Sequence, residues 1–301
     1  MRIDALQAFV AIAETGSFNE AAARLHLSQP GISKRVAALE ARLGYRLLDR
    51  VARGVSLTEA GRAYLPYARE TLAALADGDR ALANLNTRIE GELSIALSHH
   101  VAMHRMPPVL RAYIADFPAV DPQIVFEDSE AACERVVAGT SELAVITLPR
   151  IDHPRLVTTP IWHDPLGIYV SPEHELADGR ALSVDELAQV PAVLPPVESH
   201  TYAILRDAFA AHQAAPQARM TSHSLETLAM LAGVGLGWTI LPKAMPHALY
   251  EPRVPKLVMS RTLGVVRHPQ RHLSNAARAL LGRIEVSYES APSAVLRQDE
   301  A

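Results

Sequence analysis

The stretch from Ser17 to Arg53 constrains the fold more than any other part of the chain, because it carries the start and stop signals of two short helices in a row. Ser17 is a preferred residue type at a helix start, and apolar residues follow it at helical spacing. Ser28 and Pro30 predict the start of a second helix, which Gly44 is expected to end. This pattern predicts a helix-turn-helix whose second helix is the recognition helix.

The polar face of the second predicted helix begins with Gln29, Ser33 and Lys34. Side chains of these types reach base edges and phosphates when a helix lies in the major groove of DNA. Lysine is a point charge rather than a planar fork, so we expect Lys34 to contact a phosphate. An ordinary helical hairpin with a solvated polar face would show the same pattern, and this alternative stays open at this point.

A basic segment from Tyr45 to Leu57 follows the second helix and favours the DNA-binding interpretation. Its arginines, Arg46, Arg50 and Arg53, surround the turn residue Gly54. This arrangement is typical of a two-stranded wing whose cations lie along the sugar-phosphate backbone. Residues 1–58 are therefore predicted to form a winged helix-turn-helix domain.

Over roughly its first fifth, the chain resembles the LysR-type transcriptional regulators. The residues that carry the resemblance stand in the family's order: Leu6, Phe9, Val10, Ser17, Phe18, Ala22, Ala23, Leu25, Ser28, Gln29, Pro30, Ser33, Leu39, Glu40, Leu43, Gly44 and Leu57 to Gly61. Gly31 departs from the larger residue often found there, and Lys34 replaces a common arginine. The resemblance implies DNA contacts for one set of residues: Ser17, Ser28, Gln29, Pro30, Ser33, Lys34, Arg50 and Arg53.

Charge is distributed unevenly along the chain. The whole sequence of 301 residues has a formal net charge of −4, but residues 1–60 hold eight Lys or Arg against six Asp or Glu. The first 60 residues therefore carry +2, and this local field decides the attraction to a polyanion, whereas the total does not.

The single cysteine, Cys133, excludes a disulfide within the chain. No apolar run is long enough to span a bilayer, and the N-terminus lacks a signal-peptide pattern. We therefore expect a cytoplasmic protein that makes no use of a membrane.

Residues 59–90 are predicted to form a long linker helix that Thr58 caps. Leu75, Leu82 and Ile89 recur every seven residues on this otherwise polar helix, a spacing typical of a dimerising coiled coil. Packing of the same stripe on its own domain is the alternative, and Pro66 is expected to kink the helix. The resemblance favours pairing into a homodimer, because two recognition helices then read the two half-sites of an interrupted palindrome.

Residues 91–301 alternate strands and helices, which predicts a wound α/β domain with a mostly parallel sheet. The pattern restarts near Trp162, so we expect two lobes, the first about 91–161 plus 264–290 and the second about 162–263. Strands predicted at 166–170 and 263–267 belong to this pattern, as does a helix through Leu110 to Phe117. The layout resembles the effector-binding domain of LysR-type regulators, which is similar to periplasmic solute-binding proteins. The resemblance implies a small-molecule effector between the lobes.

Polar residues cluster at four junctions where strands are predicted to end. Three of these junctions begin helices, whose free N–H groups favour an anion, so we predict an effector, anionic in character, at Ser98, His99, His100, Thr147, Ser199, His200, Thr201 and His223. Imidazoles near neutral pH could supply cationic donors or sense pH. The alternative for each single histidine is a partly exposed side chain without a ligand.

Two other functions compete with effector-controlled regulation. His100 and His104 stand four residues apart, which places two imidazoles on one helix face; with His99, His200 or His223 they predict, as an alternative, a metal-responsive regulator. A two-lobed enzyme or transport protein is the other candidate, but the sequence has no Gly-x-Ser-x-Gly elbow or phosphate-cradling loop. We therefore expect no enzymatic activity and no cofactor.

The resemblance also implies an assembly and an output. Four DNA-binding domains in a homotetramer would change their spacing when effector binds, and this change would alter DNA bending and the access of RNA polymerase. The effector must then have different affinities for two states of the protein.

Overall fold

The computed structural model describes residues 3–51 and 54–289, and Arg53 of the predicted wing lies outside them. The chain divides into two compact units. One reaches Asn86, and the other contains Thr87–Val137 and the chain from Ser141 onward. Among the described residues, no helix combines the length and the apolar character needed to cross a bilayer.

The first unit is mainly helical, with a small antiparallel hairpin. Its elements are α1 (Ile3–Thr15), α2 (Phe18–Arg24), α3 (Gln29–Leu43), β1 (Leu48–Val51), β2 (Gly54–Leu57) and α4 (Glu59–Ala83). Buried side chains of α1, including Leu6 and Phe9, form its core together with Ile32 and Val36 of α3. The predicted helix-turn-helix and hairpin are confirmed.

Local signals in the sequence set the helix ends of this unit. Ser17 and Ser28 are the N-caps of α2 and α3, and their hydroxyl oxygens accept hydrogen bonds from the N–H groups of Glu20 and Gly31. Gly44 ends α3 in the left-handed conformation at φ 73°, which glycine adopts without steric cost. These three predictions are confirmed.

The hairpin is joined tightly to the start of α4. Thr58 is the N-cap of α4, accepting from the N–H of Gly61 at 2.9 Å, and its own N–H donates to the carbonyl of Leu47 at 3.0 Å. A Cβ on Gly61 would lie 2.0 Å from the carbonyl oxygen of Leu47. Only glycine therefore fits at this position, which explains the end of the motif that runs from Leu57 to Gly61.

The long helix α4 continues without a break through Pro66. Leu75 and Leu82 of the heptad stripe expose 43% and 69% of their surface in this single chain. Large apolar side chains spaced along one helix at this exposure are available for a second helix.

The second unit is α/β. Its elements are β3 (Gly91–Ser98), α5 (His99–His104), α6 (Met106–Asp116), β4 (Val120–Glu127), α7 (Ser129–Ala138), β5 (Leu143–Thr147), β6 (Val157–Tyr169), a 3₁₀ turn (Glu175–Ala177), α8 (Val184–Ala188), β7 (Pro191–Leu194), α9 (His200–Ala210), β8 (Gln217–Thr221), α10 (Leu225–Gly233), β9 (Thr239–Pro242), β10 (Met259–Arg267) and α11 (Asn275–Glu289). The larger sheet has the order β4-β3-β5-β10-β6-β9, and β7 pairs with β8.

Two long antiparallel strands, β6 and β10, connect two hydrophobic cores. Ile161 and Trp162 of β6 belong to the first core, and Leu166 and Ile168 belong to the second. The predicted two-lobed fold is thus present. Trp162 packs in the first core together with Leu263, so this core extends one residue further along each strand than we expected.

The predicted strand at 166–170 was too short, because β6 begins at Val157. Pro160 and Pro165 lie in the missed part, and proline disfavours a strand since it has no N–H to donate. Pro160 pairs with Gly264 next to a shift in register, which is a position where proline is tolerated. The strand predicted from Leu263 likewise begins earlier, at Met259.

A separate short helix, α5, precedes the helix predicted through Leu110 to Phe117. Helix α5 starts directly after β3, and α6 follows at Met106 with prolines in its first turn. His99 and His100 are therefore in the first turn of a helix.

Candidate functional site

The polar face at the start of α3 is accessible in the first unit. Lys34, Ser28 and Pro30 are exposed, whereas Gln29 and Ser33 are half-buried. The side-chain amide of Gln29 donates to the hydroxyl of Ser33 at 3.1 Å. This bond orients the amide, so that the start of α3 presents a fixed donor and acceptor pair beside a cation.

The other predicted DNA-contacting residues include two helix caps and a residue of the wing. Ser17 and Ser28 use their hydroxyl oxygens to cap helices. Arg50 is in β1, where its backbone is opposite Val55 of β2. These positions place a cap, a helix start and a wing strand in one small unit.

All eight predicted effector residues line one cavity in the second unit. Its volume is about 70 Å³, and it lies where four helices begin around the ends of β3 and β5. The lining residues are Ser98, His99, His100, Glu127, Asp128, Ser129, Glu130, Thr147, Pro195, Pro196, Ser199, His200, Thr201, His223, Leu225, Glu226 and Arg261.

The elements that bring these residues together follow local rules. Ser199 caps α9, accepting from the N–H of Tyr202 at 3.1 Å. Ser98 is the N-cap residue of α5 but makes no capping hydrogen bond through its side chain. The N–H of Thr147 donates to the hydroxyl of Ser129 at 3.2 Å, which connects the end of β5 to the start of α7.

A buried arginine, which the sequence analysis did not single out, forms one wall of the cavity. Nε of Arg261 donates to Oδ2 of Asp164 at 2.8 Å, and Nη1 donates to the hydroxyl of Thr201 at 3.2 Å. Arg105 also donates to Asp164, at 3.3 Å. Two guanidinium groups thus share one carboxylate, which leaves an excess positive charge beside the cavity.

Burial lowers the pKa of Arg261 below its usual value, and the carboxylate of Asp164 opposes this shift. Buried and exposed residues alternate at the start of β10, and Met259, Arg261 and Leu263 are the buried ones. An arginine at a buried position of this alternation is a signal of a special role for Arg261. Arg261 lies outside the strand predicted from the sequence, which begins only at Leu263.

His100 does not supply the cationic donor that we expected. Burial, followed by the charge of Arg261, lowers the pKa of His100 to about 3, although Asp164 acts in the opposite direction. The imidazole is therefore neutral near pH 7, with Nε2 located 3.7 Å from Oδ2 of Asp164. Arg261 is the permanent cation of the cavity instead.

Carboxylates that are not among the predicted site residues also line the cavity. Glu130 accepts from the backbone N–H of His200 at 2.7 Å, with Nδ1 of the same histidine at 3.1 Å. Asp128 accepts from the N–H of Ala131, and its other oxygen lies 3.6 Å from Nδ1 of His223. The first turn of α7 in one lobe thus contacts helix starts of the other lobe.

Several buried polar atoms around the cavity have unused hydrogen-bonding capacity. Within the described part of the chain, no hydrogen-bond partner is found for the hydroxyl of Ser98, Nδ1 of His100, Nε2 of His200, Nη2 of Arg261 and Oε1 of Glu226. Unbonded polar atoms are uncommon in buried positions, so this concentration sets the cavity apart from an ordinary packed interface.

The predicted pair of histidines on one helix face exists, but a metal site is not supported. The rings of His100 and His104 are 4.7 Å apart between centroids. Over residues 3–51 and 54–289, no group of three or more His, Cys, Asp or Glu side chains has a geometry that could hold a metal ion.

Fold and sites define a protein with a winged helix-turn-helix unit and a two-lobed ligand-binding unit. Residues 3–62 match the family model for a bacterial regulatory helix-turn-helix protein of the lysR family, and residues 86–286 match the LysR substrate binding domain. The chain belongs to the LysR family and is a DNA-binding transcription regulator with an effector-binding domain.

Two related regulators are similar to this chain, one over 36% of its length and one over 96%. A regulator of Azotobacter vinelandii, described as an uncharacterized HTH-type transcriptional regulator in the ibpB-leuC intergenic region, is 57% identical over 108 residues, which are 36% of this chain and 75% of that protein. The uncharacterized HTH-type transcriptional regulator YcgK of Bacillus subtilis (strain 168) is 28% identical over 96% of this chain and 95% of its own length.

Among solved structures, full-length CbnR complexed with its target DNA has the same fold. The TM-score is 0.63 at 24% identity, and the match covers 96% of this chain and 99% of CbnR.

Proposed function

We propose that this regulator reads an interrupted palindrome in double-stranded DNA through the start of α3, and that a small effector with an anionic group controls it from the cavity between the lobes. The observation that carries the proposal is the gathering of all eight predicted effector residues around one cavity. The active assembly is a homodimer that pairs further into a homotetramer, acting on cytoplasmic DNA and on RNA polymerase.

On the DNA side, the amide of Gln29 contacts a base edge while Lys34 contacts a phosphate. The hydrogen bond from Gln29 to Ser33 supports this division, because it holds the amide in one orientation. An amide can bond an adenine edge with both its donor and its acceptor. The cationic side chains of Lys34, Arg50 and Arg53 add affinity that depends on salt and not on sequence.

On the effector side, an anionic group is directed at Arg261, Ser98 and Thr201. The excess positive charge of Arg261 and Arg105 over Asp164 supports this orientation. Residues of both lobes line the cavity, so a ligand there would favour one arrangement of the lobes. That preference is the differential affinity on which control of DNA binding depends.

Two variants test the two halves of the proposal independently. DNA sites are first selected from a random library with the full chain, and affinity is then measured by fluorescence anisotropy. Gln29→Ala should lose the preference for the selected site over scrambled DNA while the thermal unfolding curve stays unchanged. An unchanged preference would refute the role of Gln29.

Thr201→Ala tests the cavity in the same assay. This variant should bind the selected site as the unmodified chain does, but its DNA affinity should respond less to any compound that changes the affinity of the unmodified chain. A full response would place the effector elsewhere.

A further inference from the structure

The cavity between the lobes is not a simple anion site, because carboxylates outnumber cations in its lining. Glu127, Asp128, Glu130 and Glu226 face one guanidinium, that of Arg261. With the histidines counted as neutral, the lining therefore has a formal charge of −3. A ligand that carried only negative charge would enter an unfavourable field.

The carboxylates differ in how far the protein already satisfies them. Glu127 accepts from Arg135 at 3.3 Å, and Glu130 accepts from the backbone N–H of His200 at 2.7 Å. Asp128 accepts from a backbone N–H of α7. These three groups have partners within the second unit.

Glu226, in the first turn of α10, differs from them. Its Oε2 accepts from the hydroxyl of Ser224 at 3.1 Å. Its Oε1 atom is buried and has no hydrogen-bond partner among the described residues, although the side chain as a whole is 39% exposed; Nε2 of His104 lies 3.6 Å from this oxygen. A buried carboxylate oxygen without a hydrogen bond is costly, and a ligand donor would remove that cost.

Unused donors belong to the same lining. The hydroxyl of Ser98 and Nη2 of Arg261 have no hydrogen-bond partner in the described part of the chain, and the two residues are only 7% and 6% exposed. The cavity thus combines buried donors suited to a carboxylate with a buried acceptor suited to an ammonium group.

The volume of the cavity limits the size of a ligand that could bond to both the buried donors and the buried acceptor. Its volume is about 70 Å³, whereas a single water needs at least about 10–15 Å³ on the same scale. The space is therefore equivalent to about five or six waters, which suits a ligand with a similar number of non-hydrogen atoms.

We infer that the effector is a small zwitterion of the α-amino acid type. Its carboxylate accepts from Ser98 and Arg261, and its ammonium group donates to Oε1 of Glu226. This inference rests on the proposed effector role of the cavity and adds the cationic group to the anionic one proposed above.

Calorimetric titration of the full chain with matched compounds tests the inference. L-alanine and L-serine are compared with L-lactate and L-glycerate, in which a hydroxyl replaces the ammonium group, and with ethylamine, which lacks the carboxylate. At least one amino acid should bind, and its hydroxy acid should bind about tenfold more weakly or worse, since a charge-assisted hydrogen bond is lost.

Glu226→Gln is the decisive variant, because it keeps the shape and the acceptor for Ser224 but removes the charge. It should weaken amino-acid binding by about tenfold or more without weakening binding of L-lactate. Glu175→Gln removes an exposed carboxylate from the same lobe and should leave both affinities unchanged. Thermal unfolding of both variants checks that they fold.

Three results would each overturn the inference. The first is that each amino acid binds with the same affinity as its own hydroxy acid, L-alanine as L-lactate and L-serine as L-glycerate. The second is unchanged amino-acid binding in Glu226→Gln, and the third is no binding of either amino acid. The proposed function is judged by a different readout. If L-lactate or L-glycerate binds as tightly as its amino acid and changes DNA affinity through Thr201, the effector site stands and only the zwitterion is refuted. If bound amino acid leaves DNA affinity unchanged, control by this cavity fails while the ligand class stands.

Discussion

Nε of Arg261 donates to Oδ2 of Asp164 at 2.8 Å, and the two side chains are only 4% and 0% exposed. Removing one member of a buried charge pair typically costs about 3–5 kcal/mol, because the remaining charge is left without compensation. We therefore expect Asp164→Ala to lower the melting temperature of the second unit by about 6 °C or more. Differential scanning calorimetry of the full chain measures this change.

Asp152→Ala is the control for the loss of a carboxylate, because Asp152 is exposed in the same unit. It should melt as the unmodified chain does. Equal melting temperatures for both variants would mean that Asp164 does not stabilise the buried charges of Arg261 and Arg105.

Acid should destabilise the second unit through His100. The pKa of this imidazole is about 3 in the folded protein because of burial and the nearby charge of Arg261, and about 6.5 in the unfolded chain. Between these values the unfolded state binds more protons, so stability falls as the pH decreases from 6.5 toward 3, by about 1.4 kcal/mol per pH unit. Above pH 6.5 the group has no effect.

His100→Asn should therefore lose less stability than the unmodified chain when the pH is lowered from 7.5 to 5.5. The measurement is the difference between the two melting temperatures for each protein. His99→Asn, at the exposed neighbouring position, should keep the unmodified pH dependence. A His100 variant with that same dependence would show that His100 titrates normally.

The contrast between Ser199 and Arg261 shows what could be predicted from sequence. Ser199, Thr58 and Gly44 act on residues within one helical turn, so their roles follow from residue type and spacing. Arg261 and Asp164 are separated by 97 residues, and nothing local in either strand indicates its partner. The cavity was found because its residues lie at helix starts, whereas its charge depends on pairings across the sheet.

The same limit applies to the carboxylates of the cavity. Asp128 and Glu130 are typical residues for the start of a helix, and this local role accounts for them without a ligand. Only the fold brings Glu130 to the N–H of His200, and only burial leaves Oε1 of Glu226 unbonded. The sequence therefore predicted which residues line the cavity but only part of the charge around it.

Glu40 connects the recognition helix to the wing. Its Oε1 accepts from the N–H groups of Leu47 and Leu48 at 2.7 and 3.1 Å. Because hydrogen bonds to charged groups are worth about 1.5–3 kcal/mol, Glu40→Ala should destabilise the first unit by about that amount and weaken DNA binding. Thermal unfolding and fluorescence anisotropy measure the two effects.

Glu40→Gln keeps an acceptor oxygen at the same place and should recover part of both losses. Arg42→Ala, at an exposed position of the same helix, is the control for a change of charge. If the alanine and glutamine variants at Glu40 behaved alike, the two hydrogen bonds would not stabilise the wing.

Lys34 and Gln29 should differ in how salt affects their variants. If Lys34 contacts one phosphate, Lys34→Gln should weaken binding to selected and scrambled DNA alike and reduce the slope of log affinity against log salt by about 1. Anisotropy titrations over a range of salt concentrations measure this slope. Arg42→Gln is the matched control, since Arg42 lies eight residues further along α3 and should leave the slope unchanged. A loss limited to the selected site would instead assign Lys34 to a base.

The exposed leucines of α4 should hold the dimer together. Leu82 is 69% exposed and lies seven residues after Leu75, so a charge at this position would face the paired helix in a coiled coil. Leu82→Asp should shift the chain toward the monomer, as measured by analytical ultracentrifugation, and should weaken binding to a palindrome far more than to a half-site. Ala81→Asp places the same charge at an exposed neighbouring position outside the heptad stripe and should remain dimeric. If both variants kept the mass of the unmodified chain, the stripe would not be the dimer contact.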